Sequence, residues 1–252
     1  MEVINRHQTE LYGSFAKSEG MKHLERYLTY LQEFENRKKI RILDIGGATG
    51  HLAYLLKKYY EHNGAEVYVV DSTSYDTWSE SGFGNDVHFI CDSVENLKDL
   101  FEDNTFDLIF ANRVFHHFVQ SSWQRSLKGI DECMQTIHSL LKVDGCFCIM
   151  DHFYNGALID SGSSFLVYTF TSIHNPLIAK LVKKMGAESA GVGTCFLSEQ
   201  MWKHKLGKSG FDIIHIERTI PDKMTLAKRI LMFKNASRDN LIIAVPKMDN
   251  RI

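Results

Sequence analysis

The chain has 252 residues, of which 44% are hydrophobic and only 3 are proline. This composition predicts a folded protein with a sizeable core and excludes a disordered or fibrous chain. The formal net charge of −2 gives no electrostatic reason to expect a nucleic acid partner, because such partners usually demand a basic surface.

The N-terminus and the cysteines predict a cytoplasmic protein. The first ten residues, MEVINRHQTE, carry charges where a secretion signal needs an apolar run. No window approaches the ~18 apolar residues of a membrane span, so we expect none. The cysteines are odd in number and lie mostly in apolar runs, which favours reduced, buried thiols over disulfides or metal ligands. They are Cys91, Cys133, Cys146, Cys148 and Cys195.

The first part of the chain alternates between helical and strand patterns. Residues 1–36 carry apolar side chains at helical spacing. Examples are Leu24, Tyr27, Leu28 and Leu31. A short strand within Lys38–Ile45 ends in a glycine cluster, a helix follows at His51–Tyr60, and a second strand follows at Glu66–Asp71. This order predicts one right-handed βαβ unit.

The alternation continues to the end of the chain and predicts an α/β fold, a Rossmann-like doubly wound sheet with helices on both faces. The predicted strands are Val87–Cys91, Phe106–Ala111, Cys146–Met150, Phe211–Arg218 and Asn240–Val245. The predicted helices are Val94–Phe101, Trp123–Leu141 and Leu177–Met185. Residues 153–208 show no convincing parallel strand, and we interpret them as an insertion over the carboxyl edge of the sheet.

The turn after the first strand carries the most informative motif. It reads L-D-I-G-G-A-T-G, from Leu43 to Gly50. Gly46 and Gly50 permit a tight turn and the close approach of a ligand, and the next helix offers unpaired N–H groups. A nicotinamide-binding turn would instead read G-x-G-x-x-G, with a pyrophosphate at the helix N-terminus.

This turn resembles motif I of class I S-adenosylmethionine-dependent methyltransferases, a strand that ends D-x-G-x-G-x-G. Asp44, Gly46 and Gly50 match, and Ala48 replaces the middle glycine. The resemblance implies S-adenosylmethionine as cofactor, with this loop, including Gly47, around its methionine and ribose parts. It also implies a seven-stranded sheet, mostly parallel, with an antiparallel last strand.

Acidic residues after the next strands extend the resemblance. Asp71, followed by Ser72, lies where an acid can bind two ribose hydroxyls, and Asp92-Ser93 lies where the family places an acid near the adenine amino group. Each has a structural alternative, since Asp71 could form a turn and Asp92 could cap a helix. Asn112 and Arg113 follow the fourth strand, whose end resembles motif IV. Asp107 begins that strand, and we interpret it as structural.

Two further stretches resemble small-molecule methyltransferases in particular. Val114–Phe118 reads V-F-H-H-F, which is similar to V-L-H-H-[FIL]. Leu140–Gly145 reads L-L-K-V-D-G, which resembles the L-L-K-P-G-G turn before strand five. The whole chain then forms a single methyltransferase domain, with an N-terminal helical lid (1–39), a cofactor-binding core (40–152), a lid and acceptor insertion (153–208) and C-terminal strands (209–252).

Histidines after strands four and five are the candidates for a catalytic base, because the pKa of imidazole lies near working pH. We favour His152 as the base, with Asp151 or His117 next. The alternative is that His116 and His117 pack against or cap the following helix.

The acceptor pocket is predicted from segments 1–20 and 153–208, which are rich in aromatic residues. They hold Tyr12, Phe15, Phe153, Tyr154, Phe165, Tyr168, Phe170, Phe196 and Trp202. Aromatic walls suit a flat apolar acceptor, so we predict a small organic acceptor that is methylated on oxygen or carbon. We expect no nucleic acid partner, and a homodimer is compatible with the sequence.

Other functions remain open at this stage. An RNA methyltransferase is disfavoured because Ala111–Val114 replaces the N-P-P-[YF] signature, and no paired-glutamate loop supports a protein methyltransferase. A dehydrogenase would need pyrophosphate contacts that this glycine spacing supplies poorly. A related fold that binds S-adenosylmethionine without transferring the methyl group is a further alternative, since fold does not fix chemistry.

Overall fold

The computed structural model describes residues 21–76, 78, 87–173 and 191–248. The predictions for residues 1–20 and for a helix at Leu177–Met185 lie outside these residues. The chain divides into two compact units. The first comprises Met1–Asn112, Thr136–Ile149 and Ile243–Ile252, and the second comprises Arg113–Gln135 and Met150–Ile242. The single-domain organisation stays a prediction.

Seven strands form one mixed sheet, which confirms the predicted fold class. They are β1 (Arg41–Ile45), β2 (Glu66–Asp71), β3 (Val87–Cys91), β4 (Phe106–Asn112), β5 (Leu141–Gly156), β6 (Phe211–Glu217) and β7 (Phe233–Pro246). Their order is β3-β2-β1-β4-β5-β7-β6. The β1–β2, β2–β3 and β1–β4 pairs are parallel, and the last strands of the sheet are antiparallel.

Helices lie around the sheet. They are α1 (residues 21–31 of the described chain), α2 (His51–Tyr59), α3 (Leu97–Leu100), α4 (Trp123–Leu140), α5 (Asp160–Thr171), α6 (Glu199–Lys208) and α7 (Leu226–Ile230). Short 3₁₀ turns occur at Gln32–Phe34, Glu61–Asn63, Val94–Asn96 and Phe115–His117. Within the described residues, none of the helices is both long and apolar enough to cross a membrane.

Three predicted elements differ from the structure. The fifth strand is predicted at Cys146–Met150 but runs from Leu141 to Gly156, and the last strand begins at Phe233 rather than Asn240. Both extensions contain polar residues, which an apolar pattern does not reveal. The predicted helix at Val94–Phe101 is a 3₁₀ turn followed by the four-residue α3. Ser93 caps this turn, because its side chain accepts a hydrogen bond from the Glu95 N–H.

The first unit has its core on β1, β2 and β4. Six of the seven residues of β4 are buried, and a strand covered on both faces reads as a continuous apolar run rather than an alternating one. Helix α1 buries Leu24, Tyr27 and Leu31, as their spacing predicts. The ring of Tyr27 packs edge-on against Phe110, with 5.0 Å between the ring centroids.

Asp107, at the start of β4, is bonded by several groups. Its carboxylate accepts hydrogen bonds from the Arg41 backbone N–H (2.8 Å), from Lys142 Nζ (2.8 Å) and from Arg37 Nη1 (3.2 Å). It is only 4% exposed, and it joins β1, β4 and β5 at the amino ends of β1 and β4. These contacts support the structural interpretation of Asp107 and set it apart from the candidate site.

Candidate functional site

The loop after β1 adopts backbone conformations that suit close approach of a ligand. The φ angles of Gly46, Ala48 and Gly50 are +64°, +48° and +79°. Alanine tolerates this region less well than glycine, so its conformation must be held by its neighbours. A Cβ atom on Gly50 would lie 2.4 Å from the Phe89 ring, and one on Gly47 would lie 2.6 Å from Asp44 Oδ2. Larger residues at these two positions would therefore force the loop to shift.

Asp71 and Trp78 hold Ala48 from two sides. Asp71 Oδ2 accepts the Ala48 N–H (3.0 Å), and its Oδ1 accepts the Thr73 N–H (2.9 Å). The indole N–H of Trp78 donates to the Ala48 carbonyl oxygen at 2.7 Å. The Trp78 ring stacks on Phe89, with centroids 5.0 Å apart. Asp71 thus forms the turn suggested as its structural alternative, and its oxygens retain lone pairs for further donors.

Asp44 is the most unusual group in the first unit. It is 1% exposed, and neither carboxylate oxygen has a hydrogen-bond partner among the described residues. Burial, and secondly the nearby charge of Asp71, raise its pKa to about 8. A buried carboxyl group without a partner is costly, so the site is suited to a ligand that brings a positive charge. The pKa of Asp71 is also raised by burial, although the N–H groups of Thr73 and Ala48 oppose the shift.

The remaining predicted cofactor residues of the first unit have local partners. Asp92 Oδ1 accepts the Ser93 N–H (2.7 Å) and Asn96 Nδ2 (2.8 Å), so Asp92 is bonded to the turn that Ser93 caps. The Asp92 N–H donates to the Asp71 carbonyl oxygen, which joins the ends of β2 and β3 next to Ser72. Asn112 ends β4, where its side-chain oxygen accepts the Tyr27 hydroxyl.

Arg113, in the second unit, forms an ion pair that the sequence does not suggest. Its Nε and Nη2 donate to the two carboxylate oxygens of Asp239, at 2.6 and 2.8 Å. Asp239 has a φ of +54° inside β7, which is typical of a β-bulge. The role of Arg113 in cofactor binding stays a prediction.

The second unit gathers three histidines and one buried aspartate. Asp151 Oδ1 lies 2.8 Å from His116 Nδ1 and accepts the His152 N–H at 2.7 Å. The His116 ring lies 4.1 Å from that of His117 and 5.1 Å from that of His152, measured between centroids. His116 and Asp151 are buried, and the second oxygen of Asp151 has no partner among the described residues.

Protonation states follow from these contacts. Burial opposes ionisation of Asp151, but the charges and hydrogen bonds of His116 and His152 together outweigh it and lower the pKa of Asp151. Burial, and then the charge of His116, lower the pKa of His117 to about 4. Burial is also the largest cause of the lowered pKa of His152. At neutral pH Asp151 is therefore ionised, whereas His117 and His152 are uncharged.

The predicted aromatic wall separates into different environments. Tyr154 and Phe196 stack with centroids 4.1 Å apart, and Phe196 also stacks on His116 at 5.3 Å. Phe153 and Trp202 are 1% exposed and belong to the core. Tyr168 donates its hydroxyl hydrogen to the Gln120 carbonyl oxygen. Phe165 and Phe170 are exposed, and Tyr12 and Phe15 lie outside the described residues.

An open groove of about 590 Å³ in the second unit is lined by other residues. Polar side chains of α4 and α6, including Lys128, Asp131 and Lys205, form much of its wall. The buried Lys205 ammonium donates to Asp131 Oδ1 at 2.6 Å and to the Leu127 carbonyl oxygen at 2.9 Å. Since Lys205 and Asp131 bond each other and Lys128 pairs with Glu132, we assign the groove no catalytic role.

Sequence reasoning missed Trp78 and Asp239 as members of these clusters. Asp239 lies 126 residues from its partner Arg113, so no local spacing links the two. The Arg238–Asn240 stretch could have suggested an irregularity, because Asp and Asn tolerate positive φ better than most residues. Trp78 lies seven residues after the end of β2, and this spacing does not predict its hydrogen bond to the Ala48 carbonyl oxygen.

Comparisons with known proteins agree with the fold and the motif. A family profile described as a methyltransferase domain matches residues 14–216. The uncharacterised methyltransferase YcgJ of Bacillus subtilis is 29% identical over 124 residues, which are 47% of this chain and 43% of that protein. The chain thus matches less than half the length of that curated relative. The crystal structure of YcgJ superposes with a TM-score of 0.56 over 89% of this chain and 99% of that one, at 15% identity.

Two other solved structures share the fold at low sequence identity. The 1,6-didemethyltoxoflavin-N1-methyltransferase of Burkholderia thailandensis, with bound 1,6-didemethyltoxoflavin and S-adenosylhomocysteine, is 14% identical and has a TM-score of 0.54. That match covers 98% of this chain and 93% of the other. The [4+2]-cyclase SpnF has a TM-score of 0.56 at 14% identity, over 92% and 81% of the two chains. Since the family profile spans most of the chain, the protein belongs to the class I S-adenosylmethionine-dependent methyltransferase family.

Proposed function

We propose that the protein transfers a methyl group from S-adenosylmethionine to a hydroxyl group of a small aromatic acceptor. The carrying observation is the hydrogen-bonded pair of His116 and ionised Asp151, which holds an imidazole ready to accept a proton. The family profile and the loop after β1 support the cofactor.

The residues of the first unit fit an adenosyl cofactor. Gly46, Gly47 and Gly50 leave backbone without side chains, and neighbouring protein atoms exclude a Cβ atom at Gly47 and Gly50. Asp71 would accept ribose hydroxyls, and Asp92 would accept the adenine amino group. The unpartnered Asp44 carboxyl would gain a cationic neighbour. When bound, the cofactor supplies an electrophilic methyl group on a positively charged sulfur.

His116 is the better candidate for the base because of the hydrogen bond at its Nδ1 atom. Asp151 accepts a hydrogen bond from Nδ1–H, which leaves the lone pair of Nε2 free to take the acceptor proton. His152 Nδ1, by contrast, accepts the Asp239 N–H at 3.2 Å, so its Nε2 carries the hydrogen. His116 would take the acceptor proton at Nε2, and the bound cofactor would supply the methyl group of the new O–CH₃ bond and keep the C–S electron pair on sulfur. The products are a methyl ether and S-adenosylhomocysteine.

Cofactor binding is tested with Asp71→Asn. We expect titration calorimetry to show that the wild type binds S-adenosylmethionine and not NAD. The affinity of Asp71→Asn for S-adenosylmethionine should be ~10–100-fold weaker, because a charge-assisted hydrogen bond contributes about 1.5–3 kcal/mol. Asp99→Asn, at an exposed acid of the same unit, is the control and should bind like the wild type. Equal affinity in folded Asp71→Asn would contradict the ribose contact.

The base is tested by comparing three histidine variants. We expect His116→Gln and Asp151→Asn to lower kcat by ~10²–10⁴-fold, the usual contribution of a general base, with little change in cofactor affinity. His117→Gln should retain most activity. If His152→Gln abolishes turnover while His116→Gln retains it, His152 is the base, as the sequence suggested.

A second candidate function is a reaction other than methyl transfer on the same fold. The likeness to a [4+2]-cyclase motivates it, because that fold is shared at a similar TM-score. Labelled methyl groups that remain on S-adenosylmethionine while an acceptor is converted would favour this candidate. Cytoplasmic location and a homodimer stay predictions.

A further inference from the structure

The Nδ1 atoms of His116 and His152 make hydrogen bonds of opposite direction, since that of His116 donates and that of His152 accepts. His116 Nδ1 donates to Asp151 Oδ1, because the lowered pKa of Asp151 leaves that oxygen as a charged acceptor. The lone pair of the neutral ring then lies on Nε2. His116 therefore presents a hydrogen-bond acceptor at the edge opposite its anchor.

His152 presents a hydrogen-bond donor at its Nε2 atom. Its Nδ1 accepts the Asp239 backbone N–H at 3.2 Å, so in the neutral ring the hydrogen must lie on Nε2. The pKa of His152 is lowered chiefly by burial, which keeps the ring neutral at pH 7. Arg113 binds the Asp239 carboxylate bidentately and fixes the bulge that supplies this N–H.

Both anchors belong to one connected part of the second unit. Asn240 Nδ2 donates to the Asp151 carbonyl oxygen at 3.3 Å, which joins β7 to β5 beside the two rings. The rings of His116 and His152 stack at 24°, with centroids 5.1 Å apart. Within the described residues, neither Nε2 atom has a hydrogen-bond partner. We take these two Nε2 atoms, on rings whose centroids lie 5.1 Å apart, as the groups that meet two oxygens of one ligand through ordinary hydrogen bonds of about 2.8–3.0 Å.

The aromatic and charged residues near the two histidine rings indicate which other groups the ligand can carry. Phe196 is half-buried, and its ring stacks on both Tyr154 and His116, so an apolar aromatic wall adjoins His116. Asp239 is neutralised by Arg113, whereas Asp151 leaves one negative charge. A second anionic group on the ligand would be repelled, so the oxygen at His152 is best uncharged.

We propose that the methyl acceptor is an aromatic hydroxyl with a neutral carbonyl on the adjacent carbon, the hydroxyl at His116 Nε2 and the carbonyl at His152 Nε2. This inference rests on the proposed function, since it names the acceptor of that reaction. His116 takes the hydroxyl proton, and His152 donates to the carbonyl oxygen, which replaces the internal hydrogen bond that such molecules form when free. The methylated oxygen gains its methyl group as described above.

The test measures binding first, so that it does not depend on turnover. The probes are 2-hydroxyacetophenone, 4-hydroxyacetophenone and 2-hydroxybenzoate, titrated into the protein with S-adenosylhomocysteine present. We expect the 2-hydroxy ketone to bind ~10-fold more tightly than its 4-hydroxy isomer, because only the 2-hydroxy ketone can meet both Nε2 atoms at once, and more tightly than the carboxylate. In His152→Phe, which keeps the stacking but loses the donor, the preference should fall below ~3-fold, and His152→Gln should restore part of it.

The outcomes separate the two proposals. Equal or absent binding of the 2-hydroxy ketone, tighter binding of the carboxylate, or a preference that survives in His152→Phe would overturn the acceptor class. Ile220→Ala, at a side chain that is 90% exposed, is the control and should keep the preference. A preferred ketone that binds but never receives a labelled methyl group would overturn the proposed function alone.

Discussion

At the scale of single residues, we predict that Asp44 links cofactor binding to the stability of the free protein. Its carboxyl group is buried without a partner, and its pKa is raised to about 8, first by burial and then by Asp71. A raised pKa in the folded state means that the folded protein binds this proton more tightly than the unfolded chain does. The associated stability is complete below the unfolded value of 3.8 and is lost as pH rises towards about 8.

Asp44→Asn should remove this dependence. We expect the melting temperature of the ligand-free wild type to fall relative to that of the variant between about pH 4 and pH 8, with no further change above that range. The affinity of the wild type for S-adenosylmethionine should rise over the same range, because a cation prefers the ionised carboxylate. Affinity in the variant should be weak and nearly independent of pH. Scanning calorimetry and titration from pH 5 to pH 9 measure both, with Asp99→Asn as control, and parallel pH profiles would refute this role.

The sequence predicted the types of residue in the site better than their roles. The glycine loop and Asp71 could be placed because each lies at the end of a strand whose apolar pattern is clear. The histidines could be named, but their tautomers depend on Asp151 and on the bulge at Asp239. A bond such as Asp239 N–H to His152 joins residues 87 positions apart, and no spacing rule reveals it.

At the scale of elements, the turn between β1 and α2 depends on one close contact. Gly50 combines a positive φ with a ring 2.4 Å from where its Cβ would lie, whereas Gly64 has a similar φ and open space around it. Substituting these two glycines therefore separates backbone strain from steric exclusion.

Gly64→Ala should cost about 1–2 kcal/mol in the free energy of unfolding, the usual strain of alanine in this region. Gly50→Ala should cost more and should also weaken cofactor binding, since Phe89 must move. Adding Phe89→Ala to Gly50→Ala should recover part of the loss, which a double-mutant cycle in urea measures. Equal costs at the two glycines would show that the ring contact does not matter.

Strand boundaries also show where sequence patterns stop being informative. The fifth strand extends through Asp151 to Gly156 because its polar residues have partners in the fold: Asp151 bonds His116, and Asn155 bonds Asn235. Periodicity treats such residues as loop, since the partners are distant in sequence. β4 could be predicted almost to the residue because both of its faces are covered.

At the scale of the whole molecule, the fold class followed from the alternation of elements and from the family motif, whereas the strand order was not predicted. The division into two units did not, because it depends on contacts between segments that are far apart in sequence. The stabilising contacts of Asp107 and the predicted cofactor loop lie at opposite ends of the parallel strands. Asp107 stands at the amino ends of β1 and β4, and the glycine loop follows the carboxyl end of β1.

Asp107→Ala should destabilise the protein by about 3 kcal/mol, the lower part of the range for breaking a buried ion pair, since Arg37 and Lys142 are partly exposed and can be rehydrated. Asp144→Ala should cost less than about 1 kcal/mol, because Asp144 pairs with Arg37 at 3.2 Å but its side chain is 66% exposed. Urea denaturation compares the two variants. Cofactor affinity should be unchanged in both, and a large loss in Asp107→Ala would argue against this separation.

The position of Trp78 makes its intrinsic fluorescence a reporter of the loop after β1. Its indole N–H bonds the Ala48 carbonyl oxygen, so we expect its emission to depend on the conformation of the loop after β1, the predicted cofactor loop. The other tryptophans, Trp123 and Trp202, belong to the second unit, where Trp123 bonds Ser164 and Trp202 packs against Phe115. A chain with phenylalanine at those two positions would report loop movement through a single fluorophore, on the timescale of mixing and without a labelled ligand.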